Sequence, residues 1–487
     1  MGAGRSRSGA FGIVSRKVGF SVGERWRGNC RDDSCRSIAP AGSGGSRLTS
    51  SGAGVSETAS ALCFALILLV PLAIAGLALI NTGLGRSRSA AHSMMASLIA
   101  VAIAALVYFV VGFSWQGFAG GLVHTLSVGG KPWNWIAAEP FFMRGLQVDG
   151  SPSSLVALLQ IFSVGLAALI PVGAGADRWR LGAICASTAL LAGLTYPLFA
   201  NWIWGGGWLS QLGANYGLGH GFVDAGGSSS IQVVGGLTAL SLAWILGPRR
   251  GKYSAEGMPA AVPGHNAVLV ALGCLLATVG WCGLNSAGTI LFAHGEAARC
   301  ILVTLNTLLA GASAGLTAAA ITKVRFGKPD ASLTVNGWIG GLVASSAACA
   351  FIKPAAAVLV GIIAGALVTF AVEWLEFELK VDDPGGSISV HGVAGIWGVL
   401  AVGMVSHFPT GYSIAGSDSG QWLAQLIGIA TLIGFVLPLT YGLNWVLNRV
   451  YPHRVDIEGE RQGMDLHELG ADAYPDFLTH ADEFIQR

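Results

Sequence analysis

Asp224-Ala-Gly-Gly-Ser-Ser-Ser-Ile-Gln232 and Asp383-Pro-Gly-Gly-Ser-Ile-Ser-Val-His391 are two copies of one pattern, D-x-G-G-S-x-S-[I/V]. Each copy opens an apolar run, and each places a polar side chain eight residues after its Asp. The two polar residues lie 159 positions apart, a separation that spans five apolar runs. An odd number of spans per repeat inverts the second copy relative to the first. Inverted repeats mark transporters, whose substrate sites lie near the midplane where the repeats meet. The Asp of each copy, Asp224 and Asp383, reads as a structural cap for the helix it precedes. The Gly pair permits a sharp turn and a close helix crossing. Eight residues of helix put Gln232 and His391 roughly 12 Å into each span. A polar or ionisable side chain at that depth is a functional candidate.

The rest of the chain fits this reading. Only 11% of its 487 residues are charged, 53% are hydrophobic, and mean hydropathy is +0.61. Soluble domains carry about 25% charged residues, so a soluble globular enzyme is excluded. Eleven runs are long and apolar enough to span a bilayer: 58–81, 91–114, 154–176, 181–202, 228–247, 265–285, 300–324, 331–350, 354–378, 387–406 and 420–448. The expected fold is an all-α polytopic membrane protein of eleven transmembrane helices, an inverted five-plus-five repeat with one last helix. Glycine is in excess at 71 residues, without a collagen period, and suits helices that approach closely. The eight cysteines show no CxxC pair or metal spacing, so no disulfide framework is expected.

Charge sets the expected orientation. Arg86, Arg88, Arg178, Arg180, Arg249, Arg250, Lys252, Lys323, Arg325, Lys328, Lys380, Arg449 and Arg454 fall on one side. Lys131, Arg144, Arg299 and Lys353 fall on the other. The positive-inside rule then puts the C-terminus in the cytoplasm of a cell whose plasma membrane holds the protein, and starts the first span outside. Residues 1–57 carry nine basic residues against four acidic ones and lack a signal-peptide core. They read as a disordered extension, processed or belonging to a start codon placed too early. The membrane domain covers 58–448. Residues 449–487 form an acidic tail with nine Asp and Glu, whose chemistry alone is that of a solvated cytoplasmic segment.

Six ordered motifs resemble the ammonium transporter family (Amt/Mep/Rh), in particular its bacterial Amt branch. Gly173-Ala-Gly-Ala-Asp177-Arg178-Trp-Arg180 is similar to the stretch after the family's third span. Trp204-Gly-Gly-Gly207 matches its WGGG, and Asp224 to Arg249 follows its signature spacing. Gly280-Trp281-x-Gly283-x-Asn285 resembles G-W-F-G-F-N, and Asp382-Asp383-Pro384 leads to Val390-His391-Gly392-Val-Ala-Gly395 as in D-D-P…V-H-G. Gly463 to Tyr474 resembles the tail motif. The resemblance covers residues 57–475. It implies a homotrimer with one pore per subunit, passage of ammonium or ammonia, and a tail that touches neighbouring subunits and meets a PII-type signalling protein. It implies no cofactor, no metal and no nucleic-acid partner.

The resemblance also implies a pore. Its outer wall attracts the cation by cation–π contact and uses a Trp, matched by Trp204, with a Phe and a Ser. The Phe position holds Ser163 beside Phe162, and the Ser position holds Gly288 with Ser286 two residues earlier. Asp224 supports this recruitment site from behind. A second constriction Phe is matched by Leu284, and Trp281 and Asn285 join the pore lining. Two facing histidines line the narrow stretch, of which His391 is one and Gln232 replaces the other. Gln donates and accepts hydrogen bonds but does not titrate, so altered electrogenicity or weaker cation exclusion is expected. These departures also suit an ammonium sensor that conducts poorly and signals through its tail. An intramembrane enzyme is not expected, since HExxH and paired intramembrane carboxylates are missing.

Overall fold

The computed structural model describes residues 56–293, 295–410, 412 and 418–475. The basic extension expected at 1–57 lies outside them, apart from its last two residues. Among the described residues, ten helices are long and apolar enough to cross a membrane. They are α1 (Glu57–Leu84), α2 (Ser87–Gln116), α3 (Pro152–Ala174), α4 (Leu181–Trp204), α5 (Ser228–Leu246), α6 (Ala267–Phe292), α7 (Arg299–Phe326), α9 (Pro354–Phe377), α10 (Ile388–Val405) and α11 (Gln421–Val450). The eleventh expected span is the shorter α8 (Ala331–Ser346), 16 residues long. Its helix ends at Ser346, and a run of turns from Ala347 through Phe351 follows.

Small residues let these helices meet backbone to backbone. A Cβ added at Gly341 of α8 would sit 2.3 Å from the carbonyl oxygen of Ala310 in α7. One added at Gly365 of α9 would lie 2.2 Å from that of Ala314. The first and sixth helices lock likewise, Gly280 against the Ala73 backbone nitrogen at 2.1 Å. In lipid, where apolar surface gives helices little reason to associate, such packing holds the bundle together. Part of the excess glycine is thereby explained.

Two features depart from the expected pattern. The connection after α2 holds a two-stranded antiparallel hairpin, β1 (Val123–Val128) and β2 (Lys131–Ala137). Gly129 and Gly130 both take positive φ at its turn, 60° and 75°, as a tight two-residue hairpin requires. This adds a small sheet to an otherwise helical chain. Secondly, α6 runs seven residues past the apolar run that ended at 285. The polar Asn285, Ser286 and Thr289 stay helical because each is buried with a partner inside the bundle.

Candidate functional site

The repeated pattern builds the centre of the molecule. The Asp224 carboxylate accepts hydrogen bonds from the backbone N–H groups of Gly227 (2.7 Å), Ser228 (2.9 Å), Ser229 (2.7 Å) and Ser230 (3.3 Å). Asp383 accepts from Ser387 (3.0 Å) and Ile388 (2.7 Å). Each carboxylate satisfies helix-start donors that otherwise have no partner. Both helices then open with a wide turn, a π-helix at Ser228–Val233 and another at Ile388–Val393. The Gln232 N–H reaches back five residues to the Gly227 carbonyl at 3.1 Å. Since residues 224–227 are not helical, Gln232 stands nearer the start of its span than a uniform helical rise gives.

The two openings face each other. His391 Nδ1 lies 2.7 Å from Gln232 Oε1, and both side chains are buried. With the amide oxygen facing it, Nδ1 carries the proton and Nε2 keeps its lone pair. The Gln232 amide nitrogen has no hydrogen-bond partner among the described residues. Glycines at equivalent places in the repeats, four residues after each polar side chain, set this crossing. A Cβ at Gly236 would stand 2.4 Å from the Gly392 nitrogen, and one at Gly395 would stand 2.6 Å from Val233 Cγ2.

Around the hairpin end of this crossing, Trp204 ends α4 and donates its indole N–H to the Asp224 carbonyl at 2.7 Å. Its ring stacks flat on Phe292, the last residue of α6, with centroids 4.4 Å apart and an 11° tilt. Two cavities share this ring pair. One of about 260 Å³ also touches Ser210, His220, Asp224 and Tyr412. The other, about 610 Å³, also touches Phe118, Pro152, Val156 and Glu296.

The remaining expected residues take other places. Phe162 packs against the apolar core, and the Ser163 hydroxyl donates to the Leu159 carbonyl. Neither lines the two cavities at Trp204. Gly288 has no room for a side chain, since a Cβ there would lie 2.4 Å from the Ala225 carbonyl. Ser286 approaches Thr304 across the α6–α7 seam, and Leu284 is buried in the core. Trp281 donates to Ser346 Oγ at 3.2 Å, and Asn285 donates to Thr307 Oγ1 at 2.9 Å. Sequence reasoning missed Phe292 and His220. The one signal for Phe292 was its place at an apolar helix end, in a run broken by polar residues.

At the far end of the bundle, charged groups are buried together. Arg249 pairs with Asp382 (2.9 Å) and Asp177 (3.0 Å), and Arg178 donates to the Asp382 carbonyl at 2.9 Å. Burial would raise the Asp382 carboxyl, but the hydrogen bonds and charge of Arg249 and the charge of Arg178 hold it down at about 2. The acidic tail docks here, contrary to the solvated segment its composition suggests. Glu460 is 2% exposed and pairs with Arg454 at 2.8 Å. Asp465 is fully buried and accepts from the Ala91 and His92 N–H groups at the start of α2. Glu468 meets His92 Nε2 at 2.9 Å and accepts from the Leu181 N–H at 2.7 Å. Burial opposes ionisation of Glu468, yet these hydrogen bonds hold its carboxyl below the usual range. Helix-start donors draw Asp465 and Glu468 in, and composition alone does not reveal them.

The sequence model of the Ammonium Transporter Family matches residues 61–474. Ammonium transporter Amt2 of Archaeoglobus fulgidus is 35% identical over 427 residues, 84% of this chain and 86% of its own length. The ammonium transporter of Bacillus subtilis is 33% identical over 84% of this chain and 97% of its own. Among solved structures, a protein described as a sensor Amt protein superposes with a TM-score of 0.75 at 29% identity, covering 84% of this chain and 97% of that one.

Proposed function

The chain belongs to the ammonium transporter family and carries ammonium across a membrane; from that premise we propose the route and the role of each residue along it. Ammonium is recruited at Trp204, where the indole face and the Asp224 carbonyl behind it favour a cation. Phe292 takes the place of the aromatic partner that the Ser163 and Leu284 positions lack. Because it lies flat on Trp204, it must move aside for a cation to reach that face. Phe162, Ser286, Gly288, Trp281 and Asn285 shape the walls rather than touch the substrate.

The observation that carries the route is the Gln232–His391 contact at the crossing of the two repeats. An apolar pore disfavours a bare cation by several kcal/mol or more. Neutral ammonia is the species that fits. The unpartnered Gln232 amide N–H can donate to its lone pair, and His391 Nε2 can accept one of its hydrogens. Leaving a buried amide donor unsatisfied costs about 1–3 kcal/mol, which a passing ammonia relieves.

The basic loops support a cytoplasmic tail and a plasma-membrane location. The family supports a homotrimer with a PII-type partner at the tail face. The test is uptake of ammonium by liposomes holding the purified protein, with Trp204→Leu and His391→Leu as variants. Both should cut uptake sharply, the first by raising KM and the second by lowering the maximal rate. Binding without uptake in the unsubstituted protein would instead indicate a sensor.

A further inference from the structure

His220 and Asp418 form a pair that the route above does not use. The imidazole lines the 260 Å³ cavity that also holds Trp204 and Asp224. Its Nε2 lies 3.2 Å from Asp418 Oδ1, with the imidazole 4% exposed and the carboxylate 59% exposed. The pair thus joins the wall of this cavity to bulk water. His220 is held firmly. Its N–H donates to Gln421 Oε1 at 2.8 Å, and Gln421 Nε2 donates to the next carbonyl, that of Gly221, at 2.8 Å. The ring packs on Phe408, with centroids 4.4 Å apart, and edge-on to Tyr412 at 5.2 Å.

We propose that His220 and Asp418 are the proton exit of the recruitment cavity, so that ammonium leaves its proton on the side from which it came. The proposal rests on the reading of Trp204 as the recruitment site. Ammonium that enters an apolar pore as ammonia must first lose a proton, and Gln232 cannot carry that proton onward. The titratable groups facing the cavity, among the described residues, are His220, Asp224 and Tyr412. Asp224 has its carboxylate committed to four backbone N–H groups and the Ser229 hydroxyl. A phenol is a poor base near neutral pH, whereas imidazole exchanges protons there. One N–H bond of ammonium breaks, and its electron pair stays on nitrogen as ammonia. The proton forms a new N–H bond on the imidazole. The imidazolium then gives its Nε2 proton to Asp418, which passes it to water. Only a neutral molecule crosses, and no net charge moves.

The experiment uses the full-length protein in liposomes with an internal pH dye, read alongside the membrane current that ammonium evokes. The unsubstituted protein should alkalinise the lumen with almost no current. His220→Gln should slow alkalinisation about tenfold near pH 6 and approach the parent rate near pH 8.5, where ammonia itself is present. Asp418→Asn, at an exposed position, should shift the same acid-side limb less strongly. One charge moved per ammonium in the unsubstituted protein would overturn the proposal. So would His220→Gln and Asp418→Asn variants that scale the rate equally at every pH, as a structural role would. Trp204→Leu separates the two readings. An unchanged KM in that variant refutes recruitment at Trp204, whatever the pH profile of the His220 variant.

Discussion

His391 and Gln232, 159 residues apart in the chain, share a 2.7 Å hydrogen bond at the crossing of the two helices that the repeated D-x-G-G-S pattern opens. Replacing Gln232 by His restores two titratable rings in contact, and a chain of imidazoles passes protons where an amide does not. Gln232→His should therefore raise the current evoked per ammonium transported. Unchanged current and unchanged selectivity against potassium would refute the role given to Gln232. Gln232→Leu leaves the His391 Nδ1 proton without an acceptor, at about 1–3 kcal/mol, and should slow transport.

Asp224 serves four backbone donors with one carboxylate. Asp224→Ala should destabilise the protein by about 2 kcal/mol, the upper end for a lost cap, and Asp224→Asn by less. Thermal unfolding in detergent measures both.

Gly236→Ala drives a methyl group into the Gly392 backbone, and Gly395→Ala drives one into Val233 and the Ser228 carbonyl. Each should cost about 1–3 kcal/mol and depress transport. Because both spread the same crossing, the double variant should lose less than the two separate losses combined. Additive losses would show that the two contacts are independent.

The buried Asp382 carboxyl titrates near 2, below its unfolded value of about 3.9. A depressed carboxylate stabilises the folded state above the unfolded pKa, and that contribution fades as pH falls through the folded one. Asp382 should supply about 2 kcal/mol at neutral pH, lost between roughly pH 4 and pH 2. Asp382→Asn leaves Arg249 and Arg178 buried with less compensation, so it should be less stable throughout and show a shallower decline across that window.

Glu468 ties the tail to His92 and to the start of α4. Glu468→Gln keeps the shape and removes the charge. Limited proteolysis should then cut the tail several-fold faster, while the membrane helices stay protected.

The span pattern was legible because apolar length is a direct requirement of the bilayer. All eleven expected runs correspond to helices, and the inverted repeat was readable from D-x-G-G-S alone. The end of α6 was not, because Asn285 and Ser286 look like a terminus until their partners on α7 are known, and Thr289 until its bond back to the Asn285 carbonyl is seen. That error hid Phe292. The hairpin carried a readable signal in Gly129-Gly130, but its strands are short beside the spans. His220 was hidden because its significance comes from Asp418, 198 residues away. The tail acids looked solvated since charge composition gives no hint of which helix-start donors await them.

His92 and Glu468 are separated by 376 residues, nearly the whole length of the membrane domain. The start of α2 is made early in synthesis, and the Asp465 carboxylate that satisfies its N–H groups follows after all the membrane spans. Until residue 468 has left the ribosome, the second and fourth helices stand with bare ends, and a truncated product keeps that defect. The two helix starts are thus completed only by residues made after every membrane span.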